Sequence, residues 1–124
     1  MRTAVQDRGD AAEALVADRL IASGWSILAR NLRVGRGELD IVAVDPGPPR
    51  ELVVVEVRWR HRRDFGLPEE SLDHHKRGHL RAAIARIRED GVRDGAPLPP
   101  IPLRVDLVVV EPGDRIRHHR NIAL

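Results

Sequence analysis

The sequence predicts an α/β fold, a mixed β-sheet flanked by helices, on three observations. Two segments repeat apolar residues at helical spacing, and runs rich in Val and Ile lie between and after them. The runs VVVEV and LVVV are almost continuously apolar, which suits central strands covered on both faces. The length of 124 residues and a hydrophobic share of 42% are those of one domain with one core, so residues 1–124 read as a single domain.

The elements follow in order. DRGDAAEALVADRLIAS (7–23) reads as a helix, with Ala12, Leu15, Val16 and Leu20 on one stripe and Gly24 as its stop. WSILARNLRV (25–34) reads as a first strand, and Gly35 to Gly37 as a turn. GELDIVAVD (37–45) and ELVVVEVRWR (51–60) read as two long strands joined by the loop PGPPR. Pro68, Glu69 and Glu70 suit the first turn of a second helix, where proline loses no bond and acids favour the dipole. Leu72, Leu80, Ala83, Ile84 and Ile87 form its buried stripe. DGVRDGAPLPPIP is a linker, and LRVDLVVVEP and RIRHHRNIAL close the chain as two more strands. The order is helix, three strands, helix, strand, strand.

Composition excludes several classes of function. There is no cysteine, so disulfides, thiolate zinc sites and thiol nucleophiles are absent. No run approaches the ~20 apolar residues that cross a bilayer, and the first residues lack a secretory apolar core. A cytoplasmic location, away from membranes, is the expectation. Of 21 basic residues all but Lys76 are arginine. With many Ala, Gly and Pro this bias fits a G+C-rich genome, so arginine content alone says little about nucleic acid. Clusters say more: Arg58, Arg60, His61, Arg62 and Arg63 form one, and Arg115 to Arg120 another.

The chemistry concentrates in the hairpin. Strand alternation places Glu38, Asp40, Val42 and Val44 on one face, and Val54, Glu56, Arg58 and Arg60 on one face of the next strand. If Asp45 faces Glu51 across the turn, Asp40 faces Glu56 and Glu38 faces Arg58. Two opposed carboxylates are destabilising unless they share a proton, sit beside an arginine or hold a divalent cation. Mg²⁺ is commonly held by one or two carboxylates with water and phosphate completing its shell. An arginine–carboxylate network that merely closes the sheet end is the structural alternative, and spacing does not choose between them.

Elsewhere the ordinary reading prevails. His75 and His79 are spaced for one helix face but lack an HExxH context, so a solvated pair is expected. Arg77, Arg81 and Arg88 could track phosphates or be a plain charged face. Arg104 and Asp106 share a strand face and read as a structural ion pair. Trp59 alternates away from Glu56 and Arg58, which suggests packing, and 2% aromatics disfavours a stacking platform for single strands.

GELDIVAVD followed by LVVVEVRWR resembles the GEIDLIA…VFVEVKxR signature of the YraN-type bacterial proteins. That family lies in the restriction-endonuclease-like, PD-(D/E)xK superfamily, among relatives of the Holliday-junction resolvases. Ala12-Glu13, GWSILARN, PEESLDHHKRGHLRAA, LRVDLVVV and IRHHRNIAL extend the resemblance over about residues 9 to 124. It implies a restriction-endonuclease-like αβββαβ core and a nuclease site. Asp40 and Glu56 match the motif acids and Glu13 the acid of the first helix, together the ligands of Mg²⁺ or Mn²⁺. The reaction implied is hydrolysis of a nucleic-acid phosphodiester, DNA in the first place, by a metal-bound water. One departure stands out: the motif lysine is Arg58, which keeps the charge but cannot act as a base. Some superfamily members supply the lysine from the neighbouring helix, where Lys76 lies.

The sites expected on this resemblance are Glu13, Asp40, Glu56, Arg58 and Lys76 for chemistry. Arg60, Arg62, Arg63, Arg77 and Arg81 are expected to hold the nucleic-acid backbone without reading sequence. Relatives that cut junctions work as dimers, so a homodimer is left open. Two rivals remain: a nucleic-acid-binding module that has lost turnover with its lysine, and a protein-interaction domain whose carboxylates serve only the fold.

Overall fold

The computed structural model describes residues 2–60, 72–92 and 96–124. Helix α1 (Ala4–Ala22) precedes strands β1 (Ser26–Val34), β2 (Gly37–Asp45) and β3 (Glu51–Trp59). Helix α2 (His74–Asp90) and strands β4 (Leu103–Glu111) and β5 (Arg115–His119) follow. The expected element order holds. Strands lie in the order β1-β2-β3-β4-β5, antiparallel except for β3 and β4, whose parallel pairing needs the α2 crossover between them. The architecture, a five-stranded mixed sheet with two helices, is compatible with a restriction-endonuclease-like core. Among the described residues no helix is long and apolar enough to cross a membrane.

Both helices begin where a side chain caps them. Thr3 Oγ1 accepts from Gln6 N at 3.1 Å while Gln6 Oε1 accepts from Thr3 N at 2.8 Å, so α1 starts several residues before its apolar stripe. Asp73 accepts from Lys76 N at 2.8 Å and fixes the first turn of α2 at His74. Pro68, Glu69 and Glu70, read above as that first turn, lie outside the described residues, as do Arg62 and Arg63. The last strand is also shorter than read. It ends at His119, and Ile122 N then donates to Val105 O at 2.8 Å.

The helices cover opposite faces of the sheet, which gives two cores. Under α1, Ala12, Val16 and Leu20 pack with Ile41, Val53, Val55 and Val108. Under α2, Leu80, Ala83 and Ile87 pack with Leu39, Val42, Val54 and Leu107. Each buried Val, Leu or Ile stabilises by ~1.5–3 kcal/mol relative to exposure. The order of faces breaks at one rung. Leu39 packs with Val42 under α2, although strict alternation would put it with Ile41 under α1. β1 changes face at the facing position without losing register: Ala29 and Leu32 both pack under α2, and Asn31 between them has φ 51°. Asp40 therefore sits where β2 changes face, and does not share a simple face with Val42 and Val44 as the sequence suggested.

At the opposite end of the sheet, buried Arg104 is held by carboxylates. Its Nη2 lies 2.8 Å from Asp45 Oδ2, its Nη1 3.1 Å from Glu51 Oε1 and its Nε 2.9 Å from Asp106 Oδ1. Asp106 also meets His118 Nε2 at 2.7 Å and accepts from Asn121 N at 2.9 Å. The Arg104–Asp106 ion pair read from strand alternation is present, with more partners than expected.

Candidate active site

β2 and β3 pair from Asp45↔Glu51 to Ile41↔Val55, the register expected from the turn, and the pairing then stops. Asp40 and Glu56 are the first residues beyond it, at the mouth of the parting strands. They are not a ladder pair, and Glu38 and Arg58 are not one either. Asp40 Oδ2 instead accepts from Val57 N at 2.9 Å, a side chain taking over where the ladder ends. Arg58 reaches back along its own strand, with Nη2 3.6 Å from Glu56 Oε1.

Three elements bring the remaining groups together. α1 carries Glu13, which is buried and faces Arg30 Nε across 3.9 Å. That is too long for a hydrogen bond, and Glu13 Oε1 has no hydrogen-bond partner among the described residues. β3 carries Glu56, 1% exposed, whose Oε2 likewise has none. α2 carries Lys76, whose Nζ lies 3.1 Å from Glu56 Oε1. A cleft of about 400 Å³ is lined by Glu13, Asn31, Glu38, Asp40, Val57 and Lys76 together with the first turns of α1. Glu56 is not part of the lining; Lys76, which touches it, is.

The electrostatics follow from this burial. Glu56 is pushed up to about 7 by its removal from water and by the charge of Asp40, against the pull of Lys76 and Arg58. Glu13 is pushed up to about 7 by burial and by Asp40, with Arg30 opposing. Two carboxylates on opposite sides of the sheet thus feel the same aspartate between them.

The donor set suits a hard cation. It is all oxygen, and two buried carboxylate oxygens lack hydrogen-bond partners beside an open cleft. Among the described residues no three His, Asp or Glu side chains are grouped so as to hold a metal ion together. An open arrangement is nonetheless what Mg²⁺ tolerates, since it keeps several waters and needs only one or two carboxylates.

The expected nucleic-acid residues divide. Arg60 lies at the end of β3, its N donating to Val110 O at 2.9 Å. Arg77 donates to Leu72 O at 2.8 Å and to Ala123 O at 2.6 Å, and Arg81 donates to Leu124 O. These two guanidinium groups tie the C-terminal segment to α2. A larger cavity of about 550 Å³ at the other end of the sheet is lined by Trp25, Asp45, Arg104 and Arg120, but its charges are already paired with one another.

A family model described as Uncharacterised protein family UPF0102 matches residues 12–110, a span that includes Glu13, Asp40, Glu56, Arg58 and Lys76. The chain belongs to UPF0102. A UPF0102 protein of Symbiobacterium thermophilum is 41% identical over 106 residues, covering 85% of this chain and 82% of the relative. One of Carboxydothermus hydrogenoformans is 33% identical over 121 residues, covering 94% and 95%. One of Dehalococcoides mccartyi is 36% identical over 107 residues, covering 86% and 81%. The UPF0102 membership agrees with the YraN-type resemblance. Two residues at this UPF0102 cleft escaped the sequence reading. Arg30, which faces Glu13, looked like an ordinary strand charge. Asn31 could have been suspected, because an asparagine amid strand residues readily adopts the left-handed conformation.

Proposed function

We propose that this UPF0102 chain acts on nucleic acid as a metal-dependent nuclease. Glu13, Asp40 and Glu56 would hold Mg²⁺ or Mn²⁺, and Lys76 would supply the amine that the motif position lacks. The observation that carries the reading is the place of Lys76, whose ammonium stands 3.1 Å from Glu56 while lining the same cleft as Asp40 and Glu13. A divalent cation in such a site activates water and offsets charge on a phosphoryl group.

The protein's own groups divide the remaining work. The Val57 N–H fixes one oxygen of Asp40 and so orients the carboxylate at the cleft. Lys76 pairs with Glu56; with that carboxylate given to a cation, the ammonium would be available to donate to a phosphate oxygen. Arg58, always charged, steadies the same phosphate but takes up no proton. Arg60 extends the positive surface along the backbone path.

Lys76→Ala is expected to lower Mn²⁺-dependent cleavage of junction, flap or duplex probes by about 100-fold or more. Lys76→Arg should do nearly as much damage, and Mn²⁺ affinity should stay unchanged in both. Arg58→Lys should cleave at least as well as the parent. If the parent and Arg58→Lys are inert on junctions, flaps, duplexes and RNA with Mn²⁺ present, the enzyme reading is lost. A nucleic-acid-binding module without turnover is then the better account; the arginine at the motif position favours it.

A further inference from the structure

Next to the cleft lies a second depression of different character. It has a volume of about 260 Å³ and is lined by Val5, Arg8, Gly9, Val57, Arg58 and Trp59. Gly9 and Val57 also line the cleft of Glu13, Asp40 and Lys76, so the two spaces share a wall. Their charges are opposite. Among the described residues Asp10, Glu13, Glu38 and Asp40 outnumber Arg2 and Lys76 in the lining of the cleft, whereas the second groove is lined by two arginines and no acid. The Arg8 guanidinium lies 5.1 Å from the centroid of the Trp59 ring, and Val5 is 71% exposed.

Gly9 is the informative residue. It lies within α1, where glycine costs ~1 kcal/mol relative to alanine. A Cβ built there meets no atom of the described residues within 4 Å, so packing against them gives no reason for its smallness. A glycine without a packing cause in a wall between two spaces suits close approach by a ligand. The aromatic face, the apolar wall and the arginines specify that ligand. A planar, uncharged ring attached to a phosphate matches all three, and a cavity of about 150 Å³ already admits benzene.

We propose that the groove takes an unpaired nucleotide adjoining the reacting phosphodiester. Its base lies on Trp59, its phosphate meets Arg8 and Arg58, and its backbone passes over Gly9 into the cleft. This rests on the nuclease reading and narrows its substrate class to strands with an unpaired nucleotide beside the cleavage point, as in flaps and branches. A fully paired duplex keeps its bases stacked and offers none to the groove.

The test compares a blunt duplex with the same duplex bearing a single-stranded flap, with 2-aminopurine as the unpaired base at the branch. Metal-free binding is followed by anisotropy and by 2-aminopurine emission. The flap is expected to bind roughly tenfold tighter than the blunt duplex, from the stacking of one base on an aromatic side chain. Its emission should change on binding. Trp59→Leu, which keeps an apolar side chain without a π face, and Gly9→Leu, which fills the shared wall, should each reduce that preference to near unity. Gly9→Leu should melt no lower than the parent, so misfolding would not explain the loss. The proposal is overturned if the parent binds both probes equally, or if both variants keep the flap preference. If the parent binds neither probe, the nucleic-acid reading itself fails and takes this proposal with it.

Discussion

Replacing Glu56 by glutamine should stabilise the protein, most at neutral to alkaline pH and progressively less as pH falls toward 4.5. The Glu56 side chain is 2% exposed, and burial with the Asp40 charge raises its carboxyl from 4.5 to about 7. The folded state therefore binds more protons than the unfolded one between those values, and stability falls as pH rises through the window. At ~1.4 kcal/mol per pKa unit, ionising Glu56 costs the fold at most about 3 kcal/mol above pH 7. Glutamine copies the protonated shape and removes the charge, so Glu56→Gln should gain about 2–3 kcal/mol at pH 8 and little near pH 4.5. With an unfolding entropy of ~2.1 cal/mol/K per residue, 1 kcal/mol shifts the midpoint of a chain this size by about 4 °C. Thermal melts at pH 8 should thus differ by about 8–12 °C, and the gap should close toward pH 5. Adding Mn²⁺ at about 100 times its dissociation constant should raise the parent by ~2.7 kcal/mol and the variant by much less. Equal melting at pH 8, or a gap that does not narrow on acidification, would refute the argument that burial and Asp40 outweigh the pairing of Glu56 with Lys76 and Arg58.

Other expectations follow from single contacts. Asp40→Ala should lose Mn²⁺ binding by calorimetry and also destabilise by ~1 kcal/mol, because Val57 N loses its acceptor; Asp40→Asn should keep most of that stability. Arg104→Ala should cost ~3–5 kcal/mol in urea titrations by leaving Asp106 buried without that ion-pair partner. Burial raises the Asp106 carboxyl, but hydrogen bonds from His118 and Arg104 outweigh it and hold it below its usual range. Its contribution should therefore be complete above pH ~4 and lost as pH falls further. Binding to any duplex or branched probe should weaken steeply with salt, and Arg60→Ala should flatten the slope of log K against log salt by about one unit.

Most of the fold was legible because its strands are apolar and its helices periodic. The turn register was legible too, since PGPPR leaves little choice of how Asp45 meets Glu51. What failed was strict alternation beyond Ile41. A slip of face at Asp40 and Asn31 carries no hydrophobic signature, because neither residue belongs to a core. The carboxylates were therefore legible, but the facing pair expected of Asp40 and Glu56 does not form. Lys76 was visible as the single lysine and, by the resemblance, as a stand-in on the second helix; its contact with Glu56 depends on how α2 seats on the sheet. Arg77 and Arg81 show the reverse difficulty. A charged helix face reads the same whether it meets phosphate or, as here, main-chain oxygens of Ala123 and Leu124. Thr3 with Gln6 forms a capping box that stands ahead of the apolar stripe, so the helical period alone does not reach the true start of α1.

The two cores have a consequence for how this chain tolerates substitution. Glu13 rides on the helix packed against Val53 and Val55, while Lys76 rides on the helix packed against Val54 and Leu107. The cleft therefore works as a caliper whose jaws are set by separate side-chain layers above and below one sheet. A change of a single methylene at Val16 or Ile87, outside the lining of the cleft, would widen or narrow those jaws while leaving every polar group intact. Drift in one layer would be neutral only when the other layer drifts to match. The two hydrophobic layers are thus bound to each other through a gap that, among the described residues, Val57 alone of the core residues lines.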